Sequence, residues 1–161
     1  VLVPAISRKD ELEKLFAEHI YDDDMFLYNG YAFCTELPDL TPCDCCYRWA
    51  IVSNINNKVI GYFAYMIDCR NDCVNNFGLY SFEPNFTVGL DVYRKMKELV
   101  RTHRRVEWRM IDGNPVQRHY DKFCACHGGR KVILNDVIKA PTGEYLNEHI
   151  YEIINYNSIR I

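Results

Sequence analysis

No apolar run in this sequence approaches the ~20 residues that a membrane-spanning helix needs. No signal-peptide pattern opens it either, so the expected setting is cytoplasmic, with no membrane partner. An excess of charge of one sign is also missing. The 19 Lys and Arg against 22 Asp and Glu leave a formal net charge of −3, which gives no global electrostatic case for nucleic acid. Repeats, low-complexity tracts and linkers are absent, and 161 residues fit a single domain, 1–161, with an ordinary core. What remains is a globular composition, 48% hydrophobic and 25% charged, which is not that of a disordered chain.

Cysteine, by contrast, is plentiful. There are 8: Cys34, Cys43, Cys45, Cys46, Cys69, Cys73, Cys124 and Cys126. A secreted disulfide scaffold is usually shorter and poorer in core residues, and free cysteine behaves as a small hydrophobe, so reduced core thiols are expected. Cys69 and Cys73 have zinc-ligand spacing, whereas Cys43-x-Cys45-Cys46 and Cys124-x-Cys126 are tighter than the common C-x₂₋₄-C pairs. No metal is assigned.

The periodicity predicts elements in a definite order. "VLVPAI" reads as a first strand, followed by Ser7 as an N-cap with Asp10 three residues on. Leu12, Leu15, Phe16, His19 and Ile20 form one helical stripe. Residues 22–46 predict a short second helix or an irregular loop, and a loop of that length is often functional. "YRWAIVSN" and "KVIGYFAYMID" predict a hairpin, the second strand being apolar enough to be covered on both faces. "VNNFGLYSFE" is the third strand of the sheet. A long helix then carries Val92, Met96, Leu99, Val100 and His103, and Gly89 extends its stripe where close approach to a strand or ligand is possible. "RRVEWRMID" alternates as a strand. The helix over 115–127 places Val116, Tyr120, Phe123 and His127 on one face and ends at Gly128 and Gly129. "RKVILNDVIKA", the turn "PTGE" and "YLNEHIYEII" close the chain as a hairpin.

The segments "IDGNPVQRHYDKF" and "GGRKVILNDVIKAPTGEYLNEHIYEII", within that order, resemble the strand–Asn–helix–Tyr unit and the closing hairpin of the GNAT superfamily, the acyl-CoA-dependent N-acyltransferases. The chain is also similar to short GNAT-like proteins of bacteria and their phages. The resemblance implies an α/β fold, a GNAT-like mixed sheet of about seven strands flanked by about four helices. It implies acetyl-CoA as acyl-donor cosubstrate, with its pantetheine arm in a gap between "FGLYSFE" and "RRVEWRMID". The backbone of Ser81, Phe82 and Glu83 would pair with that arm. The N–H groups of Phe86, Thr87, Val88, Gly89 and Leu90 would hold the pyrophosphate at a helix start. That turn departs from the family in having one glycine, no basic residue close before it, and Asp91 beside it.

The same resemblance makes Tyr120 the general acid for the departing thiolate, Glu83 the base for the amine, and Asn114 a partner of the pantetheine amide. The N–H groups near Phe82 and Glu83 would stabilise the oxyanion. Each has a plain alternative: Tyr120 as core, Asn114 as the cap before Pro115, Glu83 as a strand-end residue. Asp68 and Asp112 are further acids at strand ends. Arg94, Lys95, Lys97, Arg101, Arg104 and Arg105 read as a solvated helix face, or as an attraction for CoA phosphates. The acceptor, a small-molecule amine or a protein amino group, would meet residues 22–46, with Tyr28, Tyr31 and Phe33 as walls. The rival functions are a GNAT-like binding or regulatory module without catalysis, and a zinc-stabilised interaction domain. Oligomeric state is not legible.

Overall fold

Apolar runs separated by polar turns follow one another here in the order that a layered α/β domain requires. The structure is a computed structural model describing residues 1–19, 22, 39–83 and 88–157. In chain order it contains β1 (Leu2–Pro4), a 3-10 turn (Ala5–Arg8), α1 (Lys9–His19), β2 (Cys46–Val52), β3 (Val59–Asp68), β4 (Cys73–Ser81), α2 (Val88–Thr102), β5 (Arg105–Ile111), α3 (Gln117–Cys126), β6 (Arg130–Lys139) and β7 (Tyr145–Ile154). The seven strands form one mixed sheet in the order β1-β2-β3-β4-β5-β7-β6. Every pairing is antiparallel except that of β4 with β5.

The sheet separates two apolar layers. On one face α2 brings Val92, Met96, Leu99 and Val100, and α3 brings Phe123 and Cys124, against Phe63, Val74, Trp108 and Tyr151. On the other face Leu12 and Phe16 of α1 pack with Ala50, Val59, Tyr62 and Phe82. Strand β3 serves both layers, Ile60, Phe63 and Tyr65 facing one and Val59 and Tyr62 the other, which is why its sequence is apolar almost throughout. Trp108 is the centre of the first layer. It stacks on Tyr151 at 5.1 Å and meets Tyr120 and Phe123 edge-on at 5.8 Å, arrangements that the ring quadrupoles favour.

Two local expectations are corrected. Ser7 does not cap α1: the Pro4 φ of −53° leads into the 3-10 turn, and the Ser7 hydroxyl donates back to the Pro4 carbonyl at 2.7 Å. Helix α3 begins at Gln117 rather than 115, because the Asn114 side chain accepts from Val116 N–H at 3.0 Å and closes a turn over Pro115 first. Three α-helices and one 3-10 turn flank the seven strands among the described residues, as a GNAT-like mixed sheet with about four helices implies. The expected element within 22–46 lies largely outside the described residues.

Edge strand β6 is mostly exposed, Val132, Ile133, Leu134 and Val137 included. Its pairing with β7 shifts register between Leu134 and Ile138, where Asp136 has φ 55°.

The α3–β6 junction is tight. Gly128, at φ 65°, ends the helix. A Cβ at Gly129 would lie 2.6 Å from Cys124 Sγ and 2.7 Å from the Glu152 carbonyl oxygen, and that carbonyl belongs to a paired strand. At Gly89 a Cβ would meet nothing within 4 Å. Gly129→Ala is expected to destabilise by about 1–3 kcal/mol, and Gly89→Ala to be neutral or stabilising by up to ~1 kcal/mol. Urea melts of the two variants test the contrast, and equal stabilities would overturn it.

Candidate active site

Strands β4 and β5 pair through Cys73↔Arg105 and Val74↔Val106 and no further. Both continue, to Ser81 and Ile111, without pairing with each other. A bulge lies where they part: the β3–β4 register shifts between Ala64 and Met66, and Asn76 takes φ 51°. Such a bulge bends its strand and increases the local twist.

The pleat fixes which peptide groups face the gap. Phe82 N–H donates to the Ile60 carbonyl at 3.0 Å, toward β3, so Ser81 and Glu83 on either side of it direct their groups away from β3. On the other wall Arg105 N–H donates to the Asp72 carbonyl at 3.1 Å. By the same alternation Glu107 and Arg109 face the gap. The Phe82 N–H is therefore corrected as an oxyanion donor, since it is already committed to Ile60. Phe82 also turns its ring into the α1 layer, 5.2 Å from Phe16. Ser81 Oγ donates to the Glu83 carbonyl at 2.5 Å and steadies the bend that follows β4, where Glu83 is exposed.

Tyr120 reaches the same side of the sheet from α3. It is half-buried, with its ring 5.8 Å from Trp108 and 6.0 Å from Tyr151. Burial pushes its hydroxyl above the ordinary phenol range, so it stays protonated. Asn114 is buried at the turn between β5 and α3, and its side chain makes the cap already described. On α2, Gly89 and Leu90 stand exposed in the first turn, where helix N–H groups lack intrahelical partners. No strand among the described residues approaches Gly89 closely; a Cβ there would meet open space. Asp91 pairs with Arg94 at 3.0 Å and with the Val1 amino group at 3.0 Å, so its charge is compensated. Phe86 and Thr87 lie outside the described residues, as do Tyr28, Tyr31, Phe33 and the side chain of Val88.

Most of the basic run is engaged locally. Lys95 pairs with Glu98, Lys97 lies over the Tyr93 ring, Arg104 donates to the Asn155 carbonyl, and Arg105 binds Glu107 and Glu152. Asp68 caps the β3–β4 turn by accepting from Arg70 and Asn71, and the Asn71 hydrogen bond holds its carboxyl below the ordinary carboxylate range. That turn lies at the Cys73 end of β4, roughly 25 Å from Ser81 at strand rise. Asp68 is thus removed from the gap's open end.

Two polar pairs on β7 escape the sequence pattern. Glu148 is fully buried and accepts from Arg109 at 3.3 Å, while its Oε1 has no partner among the described residues. Burial raises its pKa, opposed by Arg109. The neighbouring His149, 3% exposed, pairs through Nε2 with Asp112 at the end of β5, leaving Nδ1 without a partner among the described residues. The signal available was the polar triplet Asn147-Glu148-His149 inside an apolar strand.

The cysteines behave differently from a uniform core set. Among the described residues only Cys73 and Cys124 are buried, while Cys43, Cys69 and Cys126 are exposed because they fall in turns or on an outward helix face; Cys34 lies outside the described residues. Cys124, Cys126 and His127 do not converge: the His127 ring packs on Phe123, with Nδ1 2.8 Å from the Phe123 carbonyl oxygen.

Comparison with known proteins gives a result at the level of fold. No family profile and no curated protein matches the sequence. Solved structures do. A GCN5-related N-acetyltransferase from Kribbella flavida superposes with TM-score 0.66 at 16% identity, covering 92% of this chain and 93% of that one. The chain has the GNAT fold. A ribosomal-protein-alanine N-acetyltransferase from Brucella melitensis matches at TM-score 0.64 and 13% identity, over 96% of this chain and 99% of that one. A spermidine N-acetyltransferase from Vibrio cholerae matches at TM-score 0.53 and 15% identity, over 90% and 74%. Among the described residues of this GNAT fold, no helix is long and apolar enough to cross a membrane.

Burial of the site aromatics has a pH consequence. Tyr65 is pushed up to about 12, and Tyr120 and Tyr151 higher still, mainly by desolvation. Folded-state values above the unfolded ~10 mean that the associated stability is intact below about pH 10 and lost as pH climbs through the folded values. Urea melts across alkaline pH should show stability falling steeply above about pH 10, with part of the tyrosinate absorbance appearing only on unfolding. Full tyrosine ionisation in a still-folded protein near pH 10 would contradict this.

Proposed function

We propose that this GNAT-fold protein transfers an acetyl group from acetyl-CoA to a primary amine, by direct attack in a ternary complex. The observation that carries the reading is the parting of β4 and β5 after Val74 and Val106. It leaves a row of peptide groups for which the amides of a pantetheine arm are natural partners. Open space at Gly89 and the first-turn amides of α2, which have no intrahelical partners, suit the pyrophosphate. Bound acetyl-CoA supplies the acyl group as a thioester, whose carbonyl the amine attacks while the thiolate leaves.

Each residue then has a limited task. Holding both reactants in one cleft supplies much of the rate. Glu83, exposed at the end of β4, accepts a proton from the incoming ammonium. Ser81 and Glu83 offer the N–H groups on the gap side to the oxyanion. Asn114, held by its own cap, orients toward the arm. Tyr120 acts chiefly as a hydrogen-bond donor to the departing sulfur. Because its pKa exceeds ~10, full transfer to a thiolate of ~8.5 runs uphill by more than about 2 kcal/mol, and solvent completes the protonation. The acceptor is a small amine or a protein amino group, the two classes named by the Vibrio cholerae and Brucella melitensis proteins of the same fold.

A second reading, a binding module without turnover, is favoured by one feature: the single glycine and missing basic residue before α2. Thiol release from acetyl-CoA with an amine panel separates the two. Wild type should turn over, and Tyr120→Phe should lose about 10²-fold in kcat with KM for acetyl-CoA nearly unchanged. Thermal stabilisation by CoA with no thiol release for any amine supports the module instead. No stabilisation by CoA at all rejects both.

A separate prediction concerns the wall of the gap. Proline at position 81 removes an N–H directed into the gap without taking one from the β3 ladder. Ser81→Pro should therefore weaken CoA binding by tenfold or more while the protein remains folded by circular dichroism. Unaltered binding would exclude this peptide group from the cofactor's contacts.

A further inference from the structure

The turn leading into β2 carries a group of side chains that acyl transfer does not use. The Sγ atoms of Cys43, Cys45 and Cys46 all lie within 4.8 Å of one another, and those of Cys45 and Cys46 are 3.9 Å apart. Among the described residues no other group of three metal-ligating side chains converges in this way. Consecutive strand residues normally point to opposite faces. Here a bridge between Cys43 and Cys46 closes a tight turn that folds the three thiols together. Met66 is directly opposite Cys46 in the β2–β3 register, but its Sδ accepts from Asn76 Nδ2 of β4 at 3.1 Å, so the thiols alone make up the group. Because Ile67 N–H donates to the Cys45 carbonyl at 2.8 Å, the Cys46–Met66 pair is of the close, non-hydrogen-bonded type, with Cα atoms ~4.5 Å apart.

We propose that Cys43, Cys45 and Cys46 form a three-thiolate site for one thiophilic d¹⁰ cation, Zn(II) or Cu(I). With metal–sulfur bonds of ~2.3 Å, sulfurs around one ion sit ~3.8 Å apart in a tetrahedral site and ~4.0 Å apart in a trigonal one. The 3.9 Å already present between Cys45 and Cys46 therefore needs no rearrangement of that pair. Each thiol gives its proton to solvent as its metal–sulfur bond forms, and no change of oxidation state is involved. Thiolate donors select soft cations over Mg(II) or Ca(II). Exposure of Cys43 gives the ion a path of entry. The site opens β2, whereas the mouth of the β4–β5 gap lies level with Gly61 and Ile51, about five residues or ~17 Å along that strand. It is consequently separate from the acyl-transfer machinery, and its role is to clamp the loop into β2.

The test uses the full chain, reduced with a phosphine and handled without oxygen. Zn(II) is titrated in competition with a chromogenic chelator, and Cu(I) in competition with bicinchoninate. One equivalent should bind with a Kd below about 1 μM, and Cys43→Ser, Cys45→Ser and Cys46→Ser should each weaken it at least tenfold, with Cys69→Ser and Cys126→Ser unchanged. X-ray absorption on the loaded wild type, which does not depend on how the variants fold, should show about three sulfurs at ~2.3 Å. Binding of both ions indicates a tetrahedral Zn(II) site completed by solvent, and binding of Cu(I) alone a trigonal one. Unaltered binding by the triple serine variant, an all-oxygen or nitrogen shell, or no binding at micromolar ion overturns the proposal. So does a Cys43–Cys46 disulfide that persists in a glutathione buffer at cytosolic poise.

Discussion

Strands β4 and β5 are each held along one side by an antiparallel partner, β3 and β7, through seven paired residues, yet they share only two pairs with one another. That imbalance governs the rest of the molecule. A sheet interior normally satisfies every backbone N–H and C=O, so a gap between two otherwise well-anchored strands must be filled by water or by a molecule with complementary amides. The outer pairings keep the two walls from collapsing into different strand orders. The bulge at Asn76 bends one wall away. The proposed function thus rests on an omission of hydrogen bonds, made tolerable because both walls are secured elsewhere.

The aromatic cluster beneath the gap links stability to chemistry. Trp108 is 2% exposed and touches Phe77, Tyr120, Phe123 and Tyr151. Tyr120 is therefore a packing residue and a candidate proton donor at once, and the two descriptions do not compete. Its ring is fixed by Trp108 and Tyr151, which is what a positioned hydroxyl requires. The same is true of Asn114, whose side chain both closes the turn before α3 and stands at the end of β5.

Much of this architecture could be read from residue patterns, and the failures have identifiable causes. Strand β5, with Val106, Trp108 and Met110 buried at every second position, and the helix stripe Val92, Met96, Leu99 and Val100 follow directly from alternation and helical spacing. Ser7 has the sequence of a cap but not its place, because Pro4 sets the backbone into a 3-10 turn first. The start of α3 is ambiguous in sequence because an Asn-Pro pair can open either a helix or a turn. Loss of strand pairing leaves no periodic trace at all. The adjacent Asn75 and Asn76 within an otherwise apolar run are its one local hint, since asparagine tolerates positive φ. Glu148 and His149 were missed because charged residues in a strand suggest an outward face, whereas ion pairs with Arg109 and Asp112 permit their burial. The convergence of Cys43, Cys45 and Cys46 was hidden for a related reason: sequence spacing describes regular strands and helices, not a turn that folds three neighbours inward.

The interruption in β6 has a consequence for the protein in a crowded solution. A straight ten-residue border strand with greasy side chains is a template onto which further chains could stack and polymerise. The left-handed residue Asp136 divides that border into two short runs, and Arg130, Lys131 and Lys139 place charge at its ends. A newcomer finding the first half in register would be out of step at the second, so fibrous growth is blocked by geometry even though the strand keeps its apolar surface.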